Sequence, residues 1–293
     1  MAKAASRWEI IPVESGVHRV RFSGGRHPEA WCLLTADWHW DNPKSRLDII
    51  ERDLKRAKEL NAMVFSFGDH FCAMQGKYDK RSSKDSLRPE HQSGSYLDRL
   101  VETAAEFLKP YAANMAMISV GNHETAIYGR HETCLISRLV ERLRIDGSPC
   151  RKGGYNGWIQ FLASSSGTTT GQSYRLYYHH GSGGDSPVTY GTIAMSRVSQ
   201  FVDADCIVSG HLHTKNLSIM AREKLNPSGQ RKVYESHLVR CSTYKDEYAP
   251  LEGWHVEKGR GPRPTINPSY WMRLRLGKDS VVSATFHDEP PEV

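Results

Sequence analysis

The sequence predicts an α/β fold, a four-layer sandwich of two mixed β-sheets flanked by helices. Three observations carry this expectation. Short apolar runs alternate with helical patterns in the first half, and apolar hairpins dominate the second half. The chain has 293 residues, 39% hydrophobic and 25% charged, enough for one large domain with a sizeable core. Alternation alone would suit a single doubly wound sheet. The late hairpins require antiparallel pairing, so two sheets packed face to face with helices outside fit better. One domain over 1–293 is expected, with an N-terminal strand extension over 1–30, a polar insertion over 75–94 and a C-terminal extension over 244–293.

The elements follow in order. Residues 31–36 are a short apolar run, a strand that stops at Asp-Trp-His-Trp-Asp. A helix follows from about Ser45, with Leu47, Ile50, Leu54 and Leu60 on one face. The next strand, 62–67, stops at Gly-Asp-His. A second helix starts at Ser95, a capping residue with Asp98 at the third helical position, and ends at Pro110. Residues 115–120 form a strand that stops at Gly-Asn-His-Glu, and the third helix carries Leu135, Leu139 and Leu143. Strands over 158–163 and 174–178 flank a Ser/Gly/Thr-rich hairpin connection. A helix over 193–202 leads to a strand, 206–208, that stops at Gly-His-Leu-His. Strands over 217–221 and 233–239 turn at Asn226-Pro-Ser-Gly, and a last hairpin joins 271–276 to 281–286.

Composition excludes several classes. No run approaches the about 18 apolar residues of a membrane span, and residues 1–10 lack the long apolar stretch of a secretory signal. A cytoplasmic protein without membrane contact is therefore expected. The six cysteines are scattered without a Cys-x-x-Cys pair, so a disulfide framework is not expected. Cys32 and Cys206 sit in apolar runs and read as buried thiols. A net charge of +6 permits an anionic partner.

Open α/β sheets place ligands beyond the carboxyl ends of their strands, and every polar motif here falls at such an end. Asp37, His39, Asp69, Asn122, His180, His211 and His213 can therefore converge from distant parts of the chain. Carboxylates, imidazoles and an amide oxygen suit divalent ions such as manganese, iron, zinc, cobalt or nickel. One ion takes roughly four to six ligands, so this set favours two ions sharing a bridge. Taken singly, an Asp or His after a strand is more often a turn-former or a surface residue. His179 and His180 compete for one place, since adjacent strand residues face opposite ways. His180 is favoured because it borders Gly181, where the chain can turn over a ligand.

The ordered set resembles the calcineurin-like metallophosphoesterase superfamily. Its pattern appears here as Asp37-Trp-His39, Gly68-Asp69, Gly121-Asn122-His123-Glu124, a lone His180 and Gly210-His211-Leu212-His213, spread over residues 31–213. The resemblance implies that Asp37, His39 and His213 hold one metal, that Asn122, His180 and His211 hold the other, and that Asp69 bridges them. It further implies a hydroxide between the ions that attacks phosphorus in line, with His123 facing the leaving oxygen as general acid or electrostatic stabiliser. Manganese is the expected metal. Many members carry an acid three residues after the Gly-Asp aspartate, which supports the Gly-Asn-His histidine. That position is Cys72 here, so His123 must be oriented from elsewhere, and Asp41 is the candidate. The protein Ser/Thr phosphatases place an arginine next. Residue 73 is alanine, so that activity is not expected.

Substrate clues are fewer. The polar insertion holds Lys77, Lys80, Arg81, Lys84 and Arg88 beside Asp79, Asp85 and Glu90, which suits a solvated loop or a basic wall guiding a phosphate backbone. Residues 244–275 interleave Tyr244, Tyr248, Trp254, Tyr270 and Trp271 with Lys245, Lys258, Arg260, Arg263, Arg273 and Arg275. That interleaving suits base stacking with phosphate contacts, or equally a loop packed across the sheet. Trp38 and Trp40 either stack on a base or wall the pocket. A phosphodiesterase or nuclease acting on DNA, RNA or a nucleotide is the leading expectation. A nucleotidase-like phosphomonoesterase comes second and a non-catalytic scaffold third, the last disfavoured because every ligand position is filled.

Overall fold

A computed structural model of the chain describes residues 7–73, 87–165, 168–169, 173–184, 188–189, 191–246, 248, 265–290 and 292. In order, these residues form β1 (Arg7–Glu14), β2 (Val17–Ser23), β3 (Glu29–Thr35), α1 (Leu47–Glu59), β4 (Met63–Phe67), α2 (Tyr96–Leu108), β5 (Met115–Ser119), α3 (Asn122–His131) and α4 (Leu135–Ile145). The second half adds β6 (Arg151–Lys152), β7 (Asn156–Ser165), β8 (Thr168–Thr169), β9 (Tyr174–His179), α5 (Thr192–Phe201), β10 (Cys206–Ser209), β11 (Asn216–Leu225), β12 (Arg231–Arg240), β13 (Tyr270–Leu276) and β14 (Val282–His287).

Two mixed sheets result. One has the order β1-β2-β7-β9-β10-β12-β11 with β8 against β7, and the other β14-β13-β3-β4-β5-β6. In the second sheet β3, β4, β5 and β6 run parallel, while β13 joins β3 antiparallel. In the first, β9, β10 and β12 are parallel and β7 meets β9 antiparallel. Successive residues on a strand point to opposite faces, and β3 shows the consequence. Leu33 packs with Ile50 and Leu54 of α1, Leu100 of α2 and Leu139 of α4, while Cys32 and Leu34 join Phe65, Phe161 and Val208 between the sheets. The outer face of the first sheet packs Ile207 and Leu238 against Met195 and Val198 of α5. Helices, sheet, sheet and helix make the four layers expected from the sequence.

Two local expectations changed. Ser95 precedes α2, but its side chain makes no capping hydrogen bond. Helix α3 was not anticipated, because only Ile127 and Glu124 of its ten residues are buried, and one apolar position gives no periodic stripe. All six cysteines are free thiols.

Candidate active site

The carboxyl ends of β3, β4, β5, β9 and β10 meet at one end of the sandwich and bring the five motifs together. The backbone there is strained. Of nine described non-glycine residues with positive φ, five are Asp37, His39, Asp69, His211 and His213, with φ between 44° and 71°. Such conformations cost about 1–3 kcal/mol each and persist only where the surroundings impose them. Glycines admit the close approach: a Cβ on Gly68 would strike the His180 ring, and one on Gly121 would strike the Asp69 carboxylate.

Two aspartates are aimed in the same way. Asp37 Oδ2 accepts the backbone N–H of His211 at 2.7 Å, and Asp69 Oδ1 accepts that of His123 at 2.9 Å. Each is left with one oxygen facing inward. Asp37 Oδ1 is buried without a hydrogen-bond donor among the described residues and lies 3.4 Å from His213 Nε2 and 4.0 Å from His39 Nε2. Asp69 Oδ2 lies 3.3 Å from His180 Nε2 and 3.7 Å from His123 Nε2.

The histidines are held by their other nitrogens. His180 Nδ1 lies 2.9 Å from the carbonyl of Phe67, and His211 Nε2 lies 3.0 Å from that of Gly183. A carbonyl only accepts, so these nitrogens carry the protons and the opposite ones are bare in the neutral rings. The bare His180 Nε2 and His211 Nδ1 both point at Asn122 Oδ1, at 3.0 and 2.8 Å. Lone pairs thus face lone pairs, an arrangement that calls for a cation. Burial alone would pull His180 down, but the Asp69 carboxylate outweighs it and pushes the imidazole up to about 10, so Nε2 draws positive charge to itself, as a proton or, in its place, a metal ion. Burial likewise raises the Asp69 carboxyl, yet His180, His123 and His39 bring it far below the usual range. Burial, then the charge of His123, hold His39 well below its ordinary value.

Two groups of donor atoms can each hold an ion: Asp37, His39 and His213, and Asp69, His180 and His211, each with its donors within 4.8 Å of one another. A third such group is His39, Cys72 and His123. His179 takes no part. Its Nδ1 accepts the N–H of Gly181 at 2.9 Å, and the neighbouring Tyr155 donates its hydroxyl to the Gly181 carbonyl at 2.6 Å.

Sequence reasoning missed Glu124. Fully buried, it accepts the N–H groups of Asp69, Phe71 and Gly121 at 3.1, 2.8 and 2.8 Å, and so fixes two motif loops at once. Its place three residues after Gly121 was the available signal, a glutamate reaching back over a helix start. Burial and the adjacent Asp69 push its carboxyl up to about 8. His123 is oriented by the carbonyl of Cys72, 2.6 Å from Nδ1, rather than by direct contact with Asp41. The Cys72 thiol is neutral, pushed up to about 12 by burial first and then by Asp41.

The candidate substrate contacts are placed differently from expectation. Trp38 and Trp40 are core residues, the first donating to Thr35 Oγ1 at 2.7 Å, so neither ring is available to a base. Tyr244, Tyr270 and Trp271 are buried as well. Arg273 and Arg275 pair with Glu29 at the start of β3, the opposite end of the strand from Asp37. Arg88 donates to the Asn42 carbonyl at 2.9 Å and lies over the Trp40 ring. Tyr244, Tyr270, Trp271, Arg273 and Arg275 therefore serve packing and ion pairs, whereas Lys245 stands close enough to the site for its charge to act on His39 and Cys72. Lys77, Lys80, Arg81, Lys84, Trp254, Lys258, Arg260 and Arg263 lie outside the described residues. No helix among the described residues is long and apolar enough to cross a membrane.

No family model and no curated protein matches the chain. Among solved structures it is similar to an NAD nucleotidase of Haemophilus influenzae, 11% identical with a TM-score of 0.37, over 88% of this chain and 55% of that one. It is similar also to Vps29 of Chaetomium thermophilum, 9% identical with a TM-score of 0.37 over 88% of this chain and 97% of that one. A third is GAP50, an anchor in the inner membrane complex of Plasmodium, 11% identical at the same TM-score over 88% and 84%. The chain spans only about half the length of the nucleotidase. At these scores the likenesses add nothing to what the chain's own strand order and site geometry establish: an α/β sandwich of two mixed sheets with side chains able to hold metal at one end.

Proposed function

We propose that this chain is a metal-dependent phosphoesterase of the metallophosphoesterase type with a two-ion centre. The observation that carries the proposal is the convergence of bare imidazole nitrogens and carboxylate oxygens in two adjoining groups. Asp37, His39 and His213 would hold one ion, Asn122, His180 and His211 the other, with Asp69 shared. Two divalent ions, manganese first for this imidazole-rich set, would supply a nucleophile deprotonated near neutral pH and offset charge on the phosphate oxygens.

The chain's own residues do the rest. The strained backbones at Asp37, His39, Asp69, His211 and His213 hold the donors ready, so little rearrangement is needed when charge develops. His123, with Nδ1–H committed to Cys72, turns Nε2 toward Asp69 and the site. Protonated there, it would give its proton to the departing oxygen or stabilise the charge on it. Hydrolysis of a phosphodiester in nucleic acid or a nucleotide is the reading we favour, supported by the net charge of +6 and the lysines and arginines of 77–84.

The test is to load purified chain with manganese, count bound ions, and assay bis-nitrophenyl phosphate, single-stranded and duplex DNA, RNA and nucleoside monophosphates. Turnover of diesters above monoesters is expected. A chain that binds metal but hydrolyses none of them is a scaffold, and preference for monophosphates makes it a phosphomonoesterase.

A further inference from the structure

His123 donates to a peptide group that is itself gripped from behind. The Cys72 carbonyl, 2.6 Å from His123 Nδ1, belongs to the peptide unit whose N–H is that of Ala73. In a trans peptide these two groups point in opposite directions. The Ala73 N–H donates to Asp41 Oδ2 at 2.9 Å, so Asp41 and His123 bond opposite sides of one peptide plane.

Asp41 is well built for this place. It is 2% exposed. Its Oδ1 accepts the Cys72 N–H at 2.5 Å, and Oδ2 also accepts the hydroxyl of Tyr96 at 3.0 Å. Ala73 sits at φ 47°, a conformation that a residue with a Cβ adopts under constraint. The Phe71 N–H goes to Glu124 at 2.8 Å, so two buried acidic side chains between them hold three consecutive N–H groups of this turn. A charged acceptor on the N–H polarises the peptide and strengthens its carbonyl as an acceptor, as in any chain of linked hydrogen bonds.

We propose that Asp41 is a positioning residue for His123, acting through the Cys72–Ala73 peptide in place of a direct carboxylate–imidazole contact. The inference rests on the phosphoesterase reading, in which His123 faces the leaving group. The relay fixes the Nδ1–H tautomer, so that Nε2 is the nitrogen presented to the site. Cys72 thus acts on His123 through its backbone carbonyl.

The experiment is a double-mutant cycle on manganese-loaded full-length chain, with Asp41→Asn, His123→Ala and the pair. Asp41→Asn should lower kcat by about 10–100-fold, the usual effect of losing the group behind an active-site histidine. KM for bis-nitrophenyl phosphate and the bound metal should be unchanged. In the His123→Ala background the same change should do nothing further. Tyr96→Phe removes one donor to Asp41 and should give a smaller kcat loss, also absent without His123; it serves if Asp41→Asn does not fold. In ¹⁵N spectra, the protonated His123 Nδ1 signal should weaken in Asp41→Asn. A kcat loss of equal size with and without His123, or a loss of metal, would overturn the relay while leaving the phosphoesterase reading intact. If His123→Ala alone is fully active, His123 has no part in the reaction and the relay falls, while the phosphoesterase reading stands; that reading fails only if the manganese-loaded native chain hydrolyses no phosphoester.

Discussion

The Nε2 atoms of His39 and His213 lie 3.3 Å apart, although 174 residues separate them. Asp37 Oδ1 stands 3.4 Å from the second. One proton can bridge two of these three atoms and leaves the third unmatched, whereas an ion satisfies all three. His213→Ala should therefore reduce bound metal from about two ions per chain to about one. Asp69→Ala, removing the shared ligand, should lose more metal than either His213→Ala or Glu124→Ala and should abolish activity. Metal analysis of the three variants decides it; full occupancy in Asp69→Ala removes the assignment.

Chelation gives a second expectation. EDTA should silence hydrolysis, and manganese should restore it at least as well as magnesium, because magnesium prefers oxygen ligands and its own waters over imidazoles. Titrating each metal into chelated chain measures this, and restoration by magnesium alone would contradict the imidazole-rich centre.

His123→Ala should reduce kcat by about 10²–10⁴-fold, the usual range for a positioned acid or oxyanion donor, at constant metal stoichiometry. If His123 is a general acid, the loss should shrink for nitrophenyl esters, whose leaving group needs no proton. Equal losses with every leaving group assign it to charge stabilisation instead.

A stability prediction concerns Asp53 of α1. Its Oδ2 accepts the hydroxyls of Tyr244 and Ser269 at 2.9 and 3.0 Å, and Tyr244 in turn donates its N–H to the Asp37 carbonyl at 3.1 Å. Asp53→Ala leaves two hydroxyls without this acceptor, about 1–3 kcal/mol each. Burial holds the Asp53 carboxyl above its ordinary value, despite the opposing Arg52 and the two hydroxyls. A carboxyl raised on folding favours the folded state fully below its unfolded pKa of about 3.9 and loses that advantage as pH climbs through the folded value. The stability of the native chain relative to Asp53→Asn should therefore be greater near pH 4 than at pH 8. Denaturant unfolding at both pH values checks the sign, and a gap that widens with pH refutes it.

The substrate reading carries its own test. Replacing Lys80, Arg81 and Lys84 by alanine should raise KM for an oligonucleotide and flatten its salt dependence, by a slope of about 0.7 for each phosphate no longer neutralised. Turnover of bis-nitrophenyl phosphate, too small to reach beyond the metals, should hardly change. An unmoved oligonucleotide KM favours the phosphomonoesterase reading.

Much of the fold was legible in the sequence because its signals are local. The run of residues 62–67 ends in Gly-Asp, and Leu47, Ile50 and Leu54 recur at helical spacing; apolar period alone specifies the strand Met63–Phe67 and the helix Leu47–Glu59. Helix α3 was not legible, because its start is held by Glu124 and by the site rather than by an apolar stripe. The aromatic and basic pattern after Tyr244 allowed two readings. Tertiary packing decided between them for Tyr244, Trp271 and Arg273, since burial depends on which sheet lies across from them.

The sequence by itself determined the order of the elements that carry an apolar pattern and which side-chain types stand at the strand ends. Only the tertiary structure decided which atoms face inward: Asp37 Oδ1 rather than Oδ2, His180 rather than His179, Nε2 of His180 but Nδ1 of His211. The physical reason is that the groups making these choices are backbone ones. The carbonyls of Phe67, Cys72 and Gly183 and the N–H groups of His123 and His211 are of a kind present at almost every residue of any chain. They leave no mark in a sequence until folding brings one of them within about 3 Å of an imidazole or a carboxylate.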